Sequence, residues 1–367
     1  MKLELEIPAL VGQMIVATQA LPAAGRWTEA DGMQLVPGSK ETGGDVRVNA
    51  AGDTVFAQIA DETGVSWASR WRVGDAAATR LTGGLDIGKC DSTGTSLYDI
   101  GQDGKIVVGL AYRASPCKSP FAFRWTESTG FQSLGGLGPW TRATAISEDG
   151  STVVGWNDQH GVFAGRQGVW WHRGRQTFAS PSPGAPKGFW SEAHDVSLDG
   201  SVIAGAMAGK DRRPWIATRT GERRLLGILE VPAVRGNGSG GYVTVLSSDG
   251  RAAFGFWGFG FDRRQFVWTE ALGLVDLAEF LHAQGADHAS TFTFAAPTGI
   301  TPDDKFLVGF GYAVGMPISW TSKLDTVAVC TATQETRQVD FPKGMDDALL
   351  DGARVGRCDR PEPQPSQ

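Results

Sequence analysis

The sequence predicts an all-β chain, a seven-bladed β-propeller of four-stranded antiparallel blades. Three observations carry this. The strand–turn–strand phrase "AISEDGSTVVGW" at Ala145–Trp156 returns as "DVSLDGSVIAGA" from Asp195 and "DIGQDGKIVVGL" from Asp99. Two markers recur in fixed order about every 50 residues, a period that fits propeller blades. Fifty glycines are spread among turns and not gathered in one tract. That is about twice the usual share of roughly 7% and favours many short strands over long helices.

The elements follow from one unit. "ATAIS" reads as strand a, "STVVGW" as b, "GVWWHR" as c, and a variable stretch such as "FQSL" as d. The first marker is an apolar pair closed by a small residue, at Ala17, Ala57, Gly109, Gly155, Gly205, Gly255 and Gly309. The second lies on strand c, at Trp27, Trp71, Trp125, Trp171, Trp268 and Trp320, with Ala217 in the aligned place of the fifth unit. These tryptophans read as packing residues between neighbouring sheets, because an indole buries a large apolar area. Asp-Gly stands in the a–b turn as Asp103-Gly104, Asp149-Gly150, Asp199-Gly200 and Asp249-Gly250, where glycine supplies the positive φ of a tight turn. The blades are expected at about 1–40, 41–88, 89–138, 139–183, 184–230, 231–280 and 281–330. Residues 331–367 form a tail partly packed on the propeller and disordered at its Pro-rich end. The ring can close through "LELEIP" or through "DTVAVC" finishing the last blade; the second is favoured, since strand d should follow Trp320 directly.

"TAISEDGSTVVGW", "FAFRWTESTGFQSLGGLG" and "AHDVSLDGSVIAG" resemble the bacterial extracellular repeat family called HAF. Its unit pairs an S-x-D-G-x-x-V-V-G hairpin with an A-F-x-W strand. The resemblance covers roughly residues 10–324 and includes "LVDLAEFLHAQGAD" and the stretch to "ISWTSKL". Two places depart from it: the Phe-Arg-Trp segment is lost in the fifth unit, and Asp303-Asp304 stands where Asp-Gly is expected. The resemblance implies an exported propeller, extracellular or periplasmic, with its leader absent from this chain. It implies no catalytic residues, and a shared fold does not give a function.

Composition narrows the partners. A net charge of -6 offers no basic footprint for nucleic acid. No apolar run reaches the length of about 18–20 residues that spans a bilayer. "MKLELEIPAL" reads as a strand and not as a signal peptide. No cofactor motif and no metal-ligand spacing is present, no G-x-S-x-G elbow occurs, and the chain is expected as a monomer. Cys90 and Cys117 fall in loops that flank one sheet, and Cys330 and Cys358 could pin the tail. Both pairings would suit an oxidising compartment.

The b–c and d–a connections are long, and such loops on a rigid scaffold are where function concentrates. The short a–b and c–d turns form a face expected to be inert. At the start of strand a one aligned column reads Val46, Tyr98, Thr144, His194, Thr244, Thr298, and the next reads Arg47, Asp99, Ala145, Asp195, Val245, Gly299. Two residues before the first column stand Ser96, Arg142, Glu192, Tyr242 and Ala296. Such mixed chemistry places His194, Tyr98 and Arg142 as candidate catalytic groups, a base and an acid beside an arginine for a carboxylate. Trp140, Trp190, Arg47, Tyr242, Asp99 and Asp195 are the candidate ligand-binding residues, the tryptophans as platforms for sugar rings. The competing structural reading has the His and Tyr bonding between blades and the tryptophans packing on neighbouring sheets.

Weaker signals are the basic loops Lys210–Arg213 and Phe261–Arg264. His282 and His288 do not have helical metal-pair spacing, and "LAEFLHAQ" reads as a short surface helix. Two functions result: a module binding a carbohydrate or other ligand at the loop-rich face around the channel, or a polysaccharide lyase or hydrolase using the His/Tyr/Arg set.

Overall fold

The computed structural model describes residues 10–14, 23–28, 30–39, 45–91, 93–113, 120–136, 138–158, 165–180, 190–208, 213–220, 223–229, 240–258, 263–286, 292–313 and 316–364. They form two compact units, Met1–Ala164 with Trp170–Thr177, and Gly165–Val169 with Phe178–Gln367.

The repeated turn has a physical basis that reaches beyond its glycine. Ser147 Oγ donates to Asp149 Oδ1 at 2.8 Å and accepts from Thr152 N at 3.0 Å, while Asp149 Oδ1 also accepts from Ser151 N at 2.9 Å. Two side chains thereby satisfy the backbone that the turn takes out of the ladder, the local bonding at which Ser and Asp excel. Ser197 with Asp199, Ser247 with Asp249, and Thr301 with Asp303 repeat the lock. The glycines at 104, 150, 200 and 250 have φ near +70° (68° to 71°), as the sequence predicts. Asp304 takes that conformation without being glycine, at φ 57°.

In the first unit, Leu10–Met14, Ala23–Thr28 and Gly32–Leu35 make a three-stranded antiparallel sheet. Four-stranded sheets follow: Arg47–Val48, Thr54–Ala60, Ser66–Arg72 and Thr79–Arg80, then Thr95–Ile100, Ile106–Ala111, Phe121–Thr126 and Gly130–Ser133. Trp140–Ile146 pairs with Thr152–Asp158. Of the strand-c tryptophans here, Trp27 is half-buried, while Trp71 is buried among Ala24, Val36 and Val46, and Trp125 among Phe56, Ala68 and Leu81. A ring burying about 200 Å² at about 25 cal/mol per Å² contributes roughly 5 kcal/mol, which an unpartnered N–H would erode by 1–3. Both buried indoles are spared that loss: Trp71 Nε1 donates to Asp75 O and Trp125 Nε1 to Thr82 O, both at 2.9 Å.

In the second unit, Trp190–Val196, Val202–Ala208, Arg213–Thr218 and Arg223–Leu225 form one meander, and Gly241–Leu246, Ala252–Trp257, Arg264–Thr269 and Gly273–Asp276 the next. A parallel bridge, Arg166 to Trp190, ties the first of these to the strand Arg166–His172. Phe292–Ile300, Phe306–Ala313 and Met316–Lys323 make a three-stranded sheet. Among the described residues the sheets have three to eight strands, where the sequence predicts a uniform four.

Two expectations about the C-terminal region are corrected. Thr326–Cys330 does not pair with Met316–Lys323; it forms a separate three-stranded sheet with Thr336–Asp340 and Arg354–Val355. The local turn at Thr331–Glu335 brings Thr336–Asp340 alongside first, and short loops close at little entropic cost. The helix α1, Leu277–Ala283, is not a surface helix: Leu277, Phe280, Leu281 and Ala283 are buried. Asp276 caps it, accepting from Ala278 N and Glu279 N. A second helix, α2 (Lys343–Leu350), seats Met345 in the same core with Phe341, Val327, Val355, Phe254 and Phe280. Asp346 accepts from Thr269 Oγ1 at 2.5 Å, and the disulfide Cys330–Cys358 holds the end of the chain. Phe341, Met345 and Val355 of the segment 331–364 therefore belong to the core of the second unit, while "LELEIP" and the last three residues lie outside the described residues.

Candidate functional site

The mixed column of the sequence is a column of β-bulges. Register shifts between Leu97 and Asp99, Ala143 and Ala145, Ala193 and Asp195, and Val243 and Val245. The extra residues are Tyr98, Thr144, His194 and Thr244, and a shift between Pro297 and Gly299 adds Thr298. A bulge sets two residues against one and re-aims their side chains, which frees this position from the chemistry of its neighbours. The facing glycines have a matching cause. A Cβ at Gly109, Gly155, Gly205 or Gly255 would collide with the carbonyl oxygen of Ser96, Arg142, Glu192 or Tyr242.

In the first unit the bulge gathers Tyr98 and Arg142. The Arg142 guanidinium lies 4.6 Å over the Tyr98 ring and 5.1 Å over the ring of Trp156, and its Nη1 donates to Tyr98 Oη at 3.4 Å. An arginine between two aromatic faces is held by cation–π attraction on both sides. Arg47 donates through Nε to Asp99 Oδ1 at 3.2 Å and through Nη2 to Asp45 Oδ2 at 2.9 Å. The other oxygen of Asp99 accepts from Ile146 N at 2.9 Å. Burial pushes the Asp99 carboxyl above the usual range, opposed by Arg47 and by the N–H groups of Ile146 and Ile100. Trp140 is half-buried at the start of its strand, opposite Asp158.

The second unit gathers an aromatic group. Tyr242 stacks on Phe256 at 5.0 Å and 22°, with Trp190 and His194 edge-on to it at 6.1 and 6.0 Å. Arg263 lies 4.6 Å over Phe256. His194 Nε2 is 3.7 Å from Glu192 Oε2, and Glu192 accepts from Arg166 in a buried ion pair whose side chains are 8% and 7% exposed. Asp195 Oδ2 accepts from Leu246 N at 2.6 Å, and its Oδ1 from Val196 N at 2.9 Å.

The sequence-predicted residues thus sort into groups. Tyr98 meets Arg142, Arg47 meets Asp99, and Trp190, His194 and Tyr242 form one cluster. His194 belongs to the second unit, Tyr98 and Arg142 to the first. Asp99 and Asp195 both hold an N–H of the following edge strand. Sequence reasoning missed Trp156, Phe256 and Arg166, and carried Arg263 only as part of the basic loop Phe261–Arg264. Two of these had a signal: the residue after the small marker sits directly across from the residue two before the bulge, Arg142 opposite Trp156 and Tyr242 opposite Phe256. Lys210–Arg212, Phe261–Asp262, His288 and Cys117 lie outside the described residues; Cys90 is disulfide-bonded. Among the described residues no helix is long and apolar enough to cross a membrane.

No family model matches the chain, and no curated protein matches it in sequence. Solved structures do match. The β-propeller domain of the Trilobed protease from Pyrococcus furiosus is 9% identical, with 91% of this chain and 94% of that one covered and a TM-score of 0.50. A structure from a study of two prolyl endopeptidases is 10% identical over 88% of this chain and 51% of that one, with a TM-score of 0.51. TolB from Acinetobacter baumannii is 14% identical over 71% of this chain and 60% of that one, at 0.47. The chain therefore spans about half to three fifths of the length of these last two. The first two likenesses show the fold: this is an all-β chain of the β-propeller kind.

Proposed function

We infer that the chain is an exported seven-bladed propeller of the HAF repeat type that binds a carbohydrate at its loop-rich face. One observation carries the reading, the partly exposed cluster of Trp190, Tyr242, Phe256 and His194, rimmed by Arg263 and Glu192. Aromatic faces take the apolar C–H side of a pyranose, while a few polar groups fix its hydroxyls. The Ser-x-Asp-Gly lock gives physical content to the repeat motif and supports the family placement. The Cys330–Cys358 bond and the bonded Cys90 support an oxidising, extracellular or periplasmic location.

Glycan-array binding of the intact chain, repeated with Tyr242→Ala and Trp190→Ala, tests the reading. Loss of at least about tenfold in affinity is expected for each, in line with removal of an aromatic anchor. Binding that ignores both substitutions sinks it. The lyase alternative is read in the same samples: uronate polysaccharides yielding an unsaturated product, absorbance lost in His194→Ala, would replace binding by catalysis.

A further inference from the structure

A second, unrelated site lies in the first unit, on the side of the short turns. A cleft of about 640 Å³ opens there, bounded by the Asp103–Lys105 turn, residues 124–128 and the strand Ser66–Arg72. That volume falls within the range of small-molecule sites. Phe56, Ile106 and Trp125 supply apolar lining, and Gly104 keeps it open: a Cβ there would press on Phe56 and Asn49 at 3.2 Å.

Charge distinguishes the cleft from the rest of an acidic chain. Four cations line it, Arg70, Arg72, Lys105 and Arg124, against two carboxylates, Asp103 and Glu127, although the whole chain carries -6. Arg70 is committed. It grips Glu127 through two bonds of 2.7 and 3.2 Å and lies 5.9 Å over Trp125. Lys105 meets Asp103 at 2.9 Å, but both are largely exposed and such a pair contributes little. Among the described residues, the guanidiniums of Arg72 and Arg124 have no hydrogen-bond acceptor and no close ion pair, although the charges of Asp53 and Glu127 reach Arg72. Two planar forks with donors uncommitted to protein acceptors, on an apolar-floored cleft, are suited to a tetrahedral oxyanion, which offers three acceptors at once.

We propose that this cleft binds a small organic phosphate or sulfate, the oxyanion held by Arg72 and Arg124 and the organic body against the Phe56–Ile106–Trp125 lining. Titration calorimetry of the full chain tests it, with inorganic phosphate, inorganic sulfate, glycerol phosphate and glycerol as probes. Saturable binding of glycerol phosphate is expected, with none of glycerol, and the inorganic anions show which oxyanion is preferred. The variants Arg72→Gln and Arg124→Gln should each weaken it at least about fivefold, the loss of one charge-assisted fork. Glu127→Gln should tighten it, because it releases Arg70. Absence of saturable binding overturns the proposal, as does affinity unchanged in the Arg72→Gln/Arg124→Gln double variant. Should that variant fail to fold, Glu127→Gln decides alone: tightening supports the site and unchanged affinity overturns it.

Discussion

Replacing Asp304 with glycine sets two lines of reasoning against each other. Every sister turn carries glycine at this place, and Asp304 has φ 57°, so repeat consensus expects Asp304→Gly to stabilise. The side chain argues the reverse. Its Oδ1 accepts from Ser248 N at 2.7 Å and its Oδ2 from Ser248 Oγ at 2.5 Å, joining the turn 301–306 to the turn 247–252. Hydrogen bonds to a charged group are each worth about 1.5–3 kcal/mol. Against them stand about 1–2 kcal/mol for the left-handed conformation and the desolvation of a carboxyl that is 8% exposed. Glycine also adds freedom to the unfolded chain.

The balance is a destabilisation of about 2 kcal/mol for Asp304→Gly, with Asp304→Asn losing about half as much. Urea unfolding followed by tryptophan fluorescence reads both. The pH dependence has a definite sign. Burial, partly offset by the bonds to Ser248, raises the folded carboxyl above its unfolded value. The Asp304 contribution is therefore fully present below the ordinary aspartate range and declines as pH rises through the raised folded value. The gap between parent and glycine variant should widen in acid. A glycine variant as stable as the parent, or a gap that narrows on acidification, would refute the reasoning.

Other substitutions follow from the same bookkeeping. Asp195→Ala strips the acceptor from Leu246 N and should cost about 1–3 kcal/mol, whereas Asp195→Asn keeps an acceptor and most of the stability; thermal melts compare them. Opening the Cys330–Cys358 bond, which closes a separation of 28 residues, should cost about 3–4 kcal/mol in the chain-entropy account. Urea midpoints of the Cys330→Ser/Cys358→Ser variant measure that loss directly.

Much of the scaffold was legible because its causes are local. Positive-φ glycines, alternating apolar strands and the strand-c tryptophans each announce themselves within a dozen residues. The bulge column was legible too, as a place where chemistry varied between copies. Hidden were the partners. Nothing near Asp99 reveals that its carboxylate serves Ile146, or that Asp195 serves Leu246, so both read as ligand groups from sequence. The Thr326–Cys330 strand was misassigned because position in the chain argued for one partner and a nearby turn delivered another. The short-turn face was expected to be inert because its loops are brief. Strand-borne arginines, alongside the residues of the short turns, line the cleft found there.

The forward-reaching carboxylates have a consequence for how such a chain can grow or shrink. Asp99 supplies the strand that begins at Trp140, and Asp195 supplies the one that begins at Gly241. The copies receiving that help carry Ala145 and Val245 at the same alignment position, and these have nothing to pass on. Over these four copies givers therefore alternate with takers, and they come as two couples. Losing one of the four would leave a stranded amide or an unanswered acid at the join. Losing a whole couple together would leave the other giver with its taker, so for this stretch the natural step in evolution or engineering is the pair.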